Sequence, residues 1–361
     1  MLSRHTTERR MRLKHSCVQA VASLLFTRSG SWLRRFVNSY QLKRTMSGRP
    51  SFPFVIKRRR RNLQILAYHR VNDDQDAYFP GMSRDAFARQ MEWLASRWHV
   101  CSMSEAIERM ALDDVPENAV VITFDDGYRD NYLHAFPVLQ QLSLPATIYL
   151  ATGVIGNNGK LWHDRVFDLF RMTTVASLDG IPTHSDRFDL GTVEDKRRAL
   201  AAILHWLWEL SPSERDASID RLRDALAVPD DPGATTLMLT WDDVRVMHRA
   251  GLSFGSHTVT HPILSRLTTA QVVAELQDSK QAIEDALRVP IEHFAYPVGR
   301  RQDFSQETKE LVKSAGYKSA VTTIMGNNSF DSDFLELKRL LPRNEDVAIF
   351  SLRLQHFKFV S

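Results

Sequence analysis

Two adjacent carboxylates, Asp125 and Asp126, directly follow an apolar run at residues 120–124 and precede Gly127. Such a run predicts a buried strand, and successive side chains of a strand point in opposite directions. One carboxylate can therefore bind a cation while its neighbour faces a substrate as a general base. Because Asp-Asp-Gly is also a common turn sequence, these residues alone leave a catalytic and a structural interpretation open.

Two histidines, His257 and His261, follow a second short apolar stretch at residues 252–255. Their side chains can reach one ion where the segment is helical or tightly turned, although His-x-x-x-His also occurs among structural histidines. Asp126 would complete a set of three protein ligands and leave coordination positions open for water and a substrate oxygen. That arrangement is typical of catalytic metal sites.

The segments around these residues alternate between short apolar runs and amphipathic stretches. Helices are predicted after two capping residues, Ser83 and Thr268, and Thr268 forms a capping box with Gln271. Strands are predicted at residues 63–68, 119–123, 146–150, 252–255, 293–296 and 318–322. Strands that alternate with helices favour parallel βαβ units, which bring the carboxyl ends of the strands to one edge of the sheet.

Residues 157–237 interrupt this alternation and are predicted to be a helical insertion, with a helix over residues 196–210 and a loop at 228–233. Insertions on barrels often line the active site, although packing is the commoner use of tryptophans such as Trp206 and Trp208. The insertion opens with Trp162-His163-Asp164-Arg165, which could line a sugar cleft or belong to the core.

The motifs together resemble the NodB-homology polysaccharide deacetylases, carbohydrate esterase family 4. The resemblance covers residues 62–345 and rests on segments 68–71, 123–128, 145–147, 241–262 and 296–299. It implies an α/β fold: a distorted, incomplete (β/α) barrel with fewer than eight strands. We accordingly expect a basic extension at residues 1–61 and a deacetylase domain at residues 62–361 that contains the insertion.

The resemblance also implies a reaction, the hydrolysis of the acetamide of an N-acetylated amino sugar in an oligo- or polysaccharide. Asp125 is then the general base, and Asp126, His257 and His261 hold Zn²⁺, with Co²⁺, Ni²⁺ or Mn²⁺ as alternatives. The residues expected to contact the substrate are Tyr128, Tyr296 and Pro297, and a backbone N–H near Gly127 or Tyr128 is expected to stabilise the oxyanion.

This sequence departs from the family pattern at two positions. Ala295 occupies the place of an arginine that pairs with the base, and Arg300, Arg343 and Arg165 are the candidates to replace it. The late histidine that serves as acid would be His356, but Arg353 stands where the motif has leucine. His69, at the end of the first strand, is instead expected to be the catalytic histidine, with a buried structural role as the alternative.

Charge is distributed unevenly along the 361 residues. Residues 1–61 hold 16 lysines and arginines against one acid, whereas the remainder holds 31 basic and 42 acidic residues. The basic segment is expected either to contact anionic lipid headgroups peripherally or to be a solvated leader. Nucleic-acid binding is not expected, because nothing beside the basic runs could read bases and the main body is acidic.

Targeting features are also weak. The apolar run at residues 18–26 is too short to span a bilayer, and no small-residue cleavage site follows it. No signal peptide or transmembrane helix is therefore expected, which favours a cytoplasmic or membrane-peripheral location. Cys17 and Cys101 lie far apart and indicate neither a disulfide framework nor a cysteine zinc site.

Other reaction classes lack their motifs. The sequence contains no Walker lysine loop and no Gly-x-Gly-x-x-Gly that opens a helix. Two alternative functions would use the same cleft. The metal site could act on another amide or ester, such as a formamide or an O-acetyl group, or the protein could be a non-catalytic carbohydrate-binding relative.

Overall fold

The computed structural model describes residues 62–182, 187–229, 237–343 and 346–359, with the side chains of 357–359 excepted. The basic extension expected at residues 1–61 lies outside the described residues. Within the described part of the chain, no helix is both long enough and apolar enough to cross a membrane.

Strands and helices alternate through most of the described chain. The strands are β1 Gln64–Tyr68, β2 His99–Val100, β3 Ala119–Phe124, β4 Thr147–Leu150, β5 Ser177–Asp179, β6 Arg187–Asp189, β7 Ser253–Ser256, β8 His293–Ala295 and β9 Ser319–Val321. The helices are α1 Arg84–Arg97, α2 Met103–Ala111, α3 Phe136–Gln141, α4 Trp162–Met172, α5 Val193–Trp208, α6 Pro212–Ala225, α7 Trp241–Arg249, α8 Thr269–Leu287, α9 Gln306–Ser314 and α10 Val347–Phe359. A π-helical turn, Asn131–Ala135, precedes α3, and short 3-10 turns lie at Thr152–Val154 and Leu264–Arg266.

The main sheet is parallel, in the order β1-β3-β4-β7-β8-β9, with β2 beside the start of β3. It curls into an incomplete (β/α) barrel, which confirms the predicted fold class. All six predicted strands are present, and their ends differ from the prediction by one residue at most. The short strand β2 and the β5–β6 hairpin were not predicted, because two or three residues carry too little periodicity to detect.

The gap between the first and last strands is bridged by an extended segment, residues 337–340, which we call the closing segment. Leu337 pairs with β9 through Val321, and Leu340 pairs with β1 through Leu66. The N–H of Leu340 donates to the carbonyl of Ile65 at 2.8 Å. The closing segment therefore enters the barrel wall as an irregular additional strand.

Helix caps follow the sequence signals. The hydroxyl of Ser83 accepts from the N–H of Ala86 at the start of α1, and Thr268 with Gln271 forms a capping box at the start of α8. Substitutions of such caps typically cost about 1 kcal/mol. The two helices thus begin where the short-range pattern places them.

Helices α4, α5 and α6 and the β5–β6 hairpin form a separate layer with its own hydrophobic cluster. That cluster includes Trp162, Phe170, Ile203, Leu207 and Leu222. Phe79, from the loop after β1, packs against both this cluster and the barrel core. The loop thereby joins the helical layer to the barrel.

Gly255, in β7, has no room for a side chain. A Cβ at this position would lie 2.6 Å from Cε1 of the Tyr149 ring and 2.7 Å from the carbonyl oxygen of His293. We expect Gly255→Ala to lower the free energy of unfolding by about 1–3 kcal/mol, because ring and backbone must shift together. Urea denaturation measures this change, and Gly191→Ala is the control because nothing lies within 4 Å of its Cβ. Equal stability of both variants would contradict the expectation.

Candidate active site and metal centre

The carboxyl ends of strands β3 and β7 bring the predicted chemical groups together. Asp125 and Asp126 follow β3, His257 directly follows β7, and β4 lies between the two strands. Parallel strands end at one edge of the sheet, so groups more than 130 residues apart in the sequence meet there. This edge carries the candidate site.

Asp126, His257 and His261 form a compact set of ligand atoms that lie within 4.8 Å of one another. Oδ1 of Asp126 lies 3.5 Å from Nε2 of His257 and 3.4 Å from Nε2 of His261. Ligand atoms about 2.0–2.2 Å from one tetrahedral ion would lie about 3.3–3.6 Å apart. All three residues are buried, and Oδ1 of Asp126 has no hydrogen-bond partner among the described residues. A divalent cation fits this set.

The ring of His257 is held in the tautomer that a metal requires. Its Nδ1 lies 2.7 Å from the carbonyl oxygen of Ala295, and this geometry assigns the ring proton to Nδ1. The lone pair of Nε2 then faces Asp126, an orientation common among metal-bound histidines. Position 295, where the family pattern has arginine, thus contributes its backbone carbonyl.

The backbone at two of these three residues is unusual. Asp126 has φ 74°, His261 has φ 54°, and Thr258 between the histidines has φ 69°. Left-handed backbone costs energy for residues other than glycine, and most for a β-branched residue such as threonine. The histidines therefore converge through a tight turn, which decides between the helical and turned geometries that the sequence left open.

Hydrogen bonds to Glu275, on α8, hold this turn in place. Its carboxylate accepts from the N–H of Val259 at 2.6 Å, and from the N–H and hydroxyl of Thr260 at 3.0 and 2.6 Å. The hydroxyl of Thr258 accepts from the N–H of His261 at 3.1 Å. These bonds stabilise the strained backbone from both sides.

Electrostatics favour the ligating forms of two of the three groups. Burial opposes a charge on Asp126, but the adjacent imidazoles of His257 and His261 outweigh burial and lower the pKa of Asp126 below the ordinary range. Burial, with the charge of His257, lowers the pKa of His261 well below its usual value. Burial also opposes a charge on His257, but the neighbouring carboxylates of Asp126 and Asp125 outweigh burial and raise the pKa of His257. A metal requires an ionised carboxylate and neutral imidazoles.

Asp125 is paired with a buried arginine that sequence reasoning missed, Arg339. Nη1 donates to Oδ1 at 2.8 Å and Nη2 donates to Oδ2 at 2.6 Å, a bidentate pair. The side chains are 0% and 2% exposed. Burial alone would raise the pKa of Asp125, but the charge and hydrogen bonds of Arg339 lower it below its ordinary value. Asp125 is therefore fixed as a carboxylate.

The three arginines proposed from sequence to hold Asp125 were wrong. Arg300 makes a bidentate pair with Asp303, and Arg165 pairs with Asp216. Arg343 is exposed. The sequence does carry one signal for Arg339: it lies two residues after buried Leu337, on the same face of an extended segment. An arginine on a buried face needs a charge partner.

His69 lies at the open side of the site. Its Nε2 is 3.9 Å from Oδ2 of Asp125, and its side chain is 31% exposed, against 2% for Asp125. The ring of Phe79 is 6.3 Å away, centroid to centroid. The structure thus brings His69 close to Asp125 and leaves the His69 side chain partly exposed.

The residues expected to contact the substrate lie beneath the surface. Tyr128 is 0% exposed and its hydroxyl donates to Oδ1 of Asp164 at 3.0 Å, whereas Tyr296 is 1% exposed and donates to the carbonyl of Leu335. Pro297 is also buried. The two tyrosine side chains therefore support the walls of the site rather than present an open face.

The cluster at the start of the insertion adjoins the three candidate metal ligands. The indole N–H of Trp162 donates to the carbonyl of His261 at 3.1 Å, and the ring of His163 lies 5.1 Å from that of His261. Nε2 of His163 is 3.1 Å from the hydroxyl of Tyr128. The structure does not bring His356 into these contacts, and it is exposed on α10.

A comparison with protein families matches residues 113–320 to the family described as polysaccharide deacetylase. YxkH of Bacillus subtilis, whose naming as a polysaccharide deacetylase is provisional, is 25% identical over 280 residues, which are 77% of this chain and 70% of that protein. The poly-β-1,6-N-acetyl-D-glucosamine N-deacetylase of Escherichia coli K12 is 34% identical over 86 residues, which are 22% of this chain and only 12% of that protein.

Solved structures share the fold. The Streptococcus pyogenes deacetylase PplD, solved with acetate, has a TM-score of 0.56 at 20% identity and covers 82% of this chain and 98% of its own. IcaB from Ammonifex degensii has a TM-score of 0.54 at 19% identity, with coverage of 82% and 97%. At this level of identity the two structures support the barrel architecture alone.

Proposed function

Because the chain belongs to the polysaccharide deacetylase family, whose match spans residues 113–320, we propose that it removes N-acetyl groups from amino sugars in an oligo- or polysaccharide with the help of a divalent metal ion. Family membership makes the protein a hydrolase of carbon–nitrogen bonds other than peptide bonds. The observation that carries the finer proposal is the convergence of Asp126, His257 and His261 beside an ionised, arginine-paired Asp125.

We assign the metal to Asp126 Oδ1 and to Nε2 of His257 and His261. Two imidazoles and one carboxylate suit Zn²⁺, and they also accept Co²⁺, Ni²⁺ or Mn²⁺. When bound, such an ion supplies Lewis acidity to the acetamide carbonyl and lowers the pKa of a water molecule. Three protein ligands leave coordination positions for both.

Asp125 acts as the general base in this proposal. Its carboxylate accepts a proton from the water that attacks the acetamide carbon. Arg339 keeps the carboxylate ionised and prevents its rotation, because both oxygens accept from one rigid guanidinium. A fixed base avoids reorganisation during proton transfer.

His69 is assigned as the acid that protonates the leaving amine. Support comes from its distance of 3.9 Å to Asp125 and from its partial exposure at the open side of the site. The N–H of Tyr128 is assigned as a further oxyanion donor, because the N–H of Gly127 already donates to the carbonyl of Asp125 at 2.9 Å. Tyr296 and Pro297 are assigned to the same site as buried residues that support its wall from beneath.

The substrate class rests on the relatives. The Escherichia coli relative is named for poly-β-1,6-N-acetyl-D-glucosamine, and its similarity supports an N-acetylated carbohydrate as substrate. Peripheral contact with anionic lipid through residues 1–61 is proposed from their 16 basic residues against one acid. A cytoplasmic or membrane-peripheral location remains part of this proposal.

Metal removal tests the proposal directly. We expect the metal-stripped protein to release no acetate from N-acetylglucosamine oligomers, and added Zn²⁺ or Co²⁺ to restore release in proportion to bound metal. Acetate is measured enzymatically, and a panel of O-acetylated sugars and formamides is assayed in parallel. Release from the panel but not from the oligomers would favour the esterase or formamidase alternative. Metal binding without hydrolysis of any substrate would favour a binding protein.

Loss of the Glu275 carboxylate is expected to weaken metal binding without removing a ligand. Glu275→Ala frees the N–H groups of Val259 and Thr260, so the turn that carries His261 loosens. We expect Zn²⁺ affinity to fall about 10-fold to 100-fold, as for other supporting shells of metal sites. Competition with a chromophoric chelator measures the affinity. Asp285→Ala on the same helix is the control. Within the described chain, Asp285 forms an ion pair with exposed Arg288 alone.

A further inference from the structure

Arg215, on α6, is a buried cation that makes no ion pair within the described part of the chain. Only 3% of the residue is exposed to solvent. Among the described residues, its Nε has no hydrogen-bond acceptor, and the ion pairs of this region join other residues. Burial lowers the pKa of Arg215 to about 10, which still leaves the guanidinium charged at neutral pH. A buried charge is costly unless something compensates it.

The carboxylates whose charges act on Arg215 are Asp216 and Glu275, and both are engaged elsewhere. Oδ1 of Asp216 accepts from Nη1 of Arg165 at 2.9 Å. Glu275 is occupied by the N–H groups of Val259 and Thr260 in the turn between the histidines. Neither carboxylate therefore completes the hydrogen bonding of the Arg215 guanidinium.

Arg215 is instead held against an aromatic face next to the metal-binding set. Its guanidinium carbon lies 4.6 Å from the centroid of Trp162, a cation–π contact. The indole N–H of the same Trp162 side chain donates to the carbonyl of His261 at 3.1 Å. Arg215 is thus separated from a metal-binding residue by a single aromatic side chain.

Low exposure does not separate Arg215 from the substrate. Asp125, Asp126 and His257 are each 2% exposed, yet they are the groups that the acetamide must approach. Arg215 has a comparable exposed fraction, and it lies near enough to His261 for its charge to act on that imidazole.

We propose that Arg215, supported by Trp162, forms a subsite for a carboxylate carried by the carbohydrate substrate. This inference rests on the proposed function, because it assigns a substrate preference to the same site. A planar guanidinium presents paired N–H donors that match a carboxylate. One unpaired cation balances one negative charge, so a carboxylate fits better than a phosphate dianion, which would need a second free cation.

The test compares two sugars that differ only at C6, N-acetylglucosaminuronic acid and N-acetylglucosamine. Their dissociation constants are measured by ligand-observed NMR with the full chain, with and without Zn²⁺. We expect the wild-type protein to bind the acid at least tenfold more tightly, with a preference that shrinks as salt is added. Arg215→Met should abolish the preference and change binding of the neutral sugar by less than twofold.

Arg221→Met is the matched control, because Arg221 is an exposed arginine on the same helix. Equal wild-type affinity for the two sugars would overturn the subsite, as would equal losses for both sugars in Arg215→Met. Should that variant fail to fold, Arg215→Lys and the wild-type salt series decide the question, since a charge-based preference must persist in part and remain salt-sensitive.

The readout is independent of turnover. Carboxylate preference without acetate release from any N-acetylated sugar would retain the subsite and reject the proposed function. Acetate release from both acidic and neutral oligomers at equal kcat/KM, with equal binding, would retain the function and reject the subsite.

Discussion

Asp125→Asn is expected to lower the rate of acetate release about a thousandfold, within the range known for loss of a general base. The amide keeps the size of the carboxylate but cannot accept a proton from water. Metal stoichiometry should be unchanged, because Asp126, His257 and His261 are untouched. This combination of lost turnover and retained metal identifies a base rather than a ligand.

Two companion variants make the result decisive. His257→Ala removes a proposed ligand and should lose both metal and activity, whereas Asp85→Asn changes an exposed aspartate on α1 and should change neither. Activity of Asp125→Asn above about a tenth of wild type would be incompatible with a general base that contributes at least a hundredfold. In that case His69 would become the first alternative to examine.

Arg339→Met is expected to lower the free energy of unfolding by about 3–5 kcal/mol, the usual cost of removing one partner of a buried ion pair. It leaves Asp125 2% exposed without a cation. Burial then favours the protonated carboxyl group, which cannot act as a base, so activity should also fall about a hundredfold. Urea denaturation and acetate release measure the two effects.

A double-mutant cycle separates pairing from packing. Asp125→Asn combined with Arg339→Met removes both charges, so its destabilisation should be smaller than the sum of the single variants. Arg343→Met is the control, because exposed Arg343 should change stability by no more than about 0.5 kcal/mol. Additive losses in the cycle would mean that Arg339 stabilises the closing segment without a specific coupling to Asp125.

The pairing also changes how the missing arginine at position 295 is understood. The family's arginine would come from β8, whereas here the cation comes from the closing segment and Ala295 supplies a carbonyl to His257. Asp125, the proposed base, therefore has a fixed charge partner that a different segment supplies. The absence of arginine at position 295 is therefore no argument for a decayed, non-catalytic cleft.

The helical layer formed by α4, α5 and α6 also contributes to the site. Trp162 donates a hydrogen bond to the carbonyl of His261, and the ring of His163 lies against the ring of His261. The carboxylate of Asp164 accepts a hydrogen bond from the hydroxyl of Tyr128. The sequence alone did not decide whether these residues pack in the core or line a sugar cleft. Trp162 packs in the buried cluster and also contacts the carbonyl of His261, whereas a role of these residues in a sugar cleft stays a prediction.

The sequence by itself determined the local elements and the types of chemical group. Strand ends were predicted within one residue and two helix starts were predicted by their caps, because periodicity and capping act over a few residues. The convergence of Asp126, His257 and His261 also followed, since parallel strands end at one edge. These inferences needed no knowledge of how distant segments pair.

Tertiary structure decided the contacts that depend on closure of the barrel and on the helical layer. Arg339 meets Asp125 across 214 residues, and only the pairing of the closing segment with β1 and β9 brings it there. The burial of Tyr128 and Tyr296 likewise arises from packing between distant elements. The same packing buries Arg215 without an ion pair in the described chain. Such contacts leave little local pattern, because a buried charge is explained only by the partner that the fold supplies.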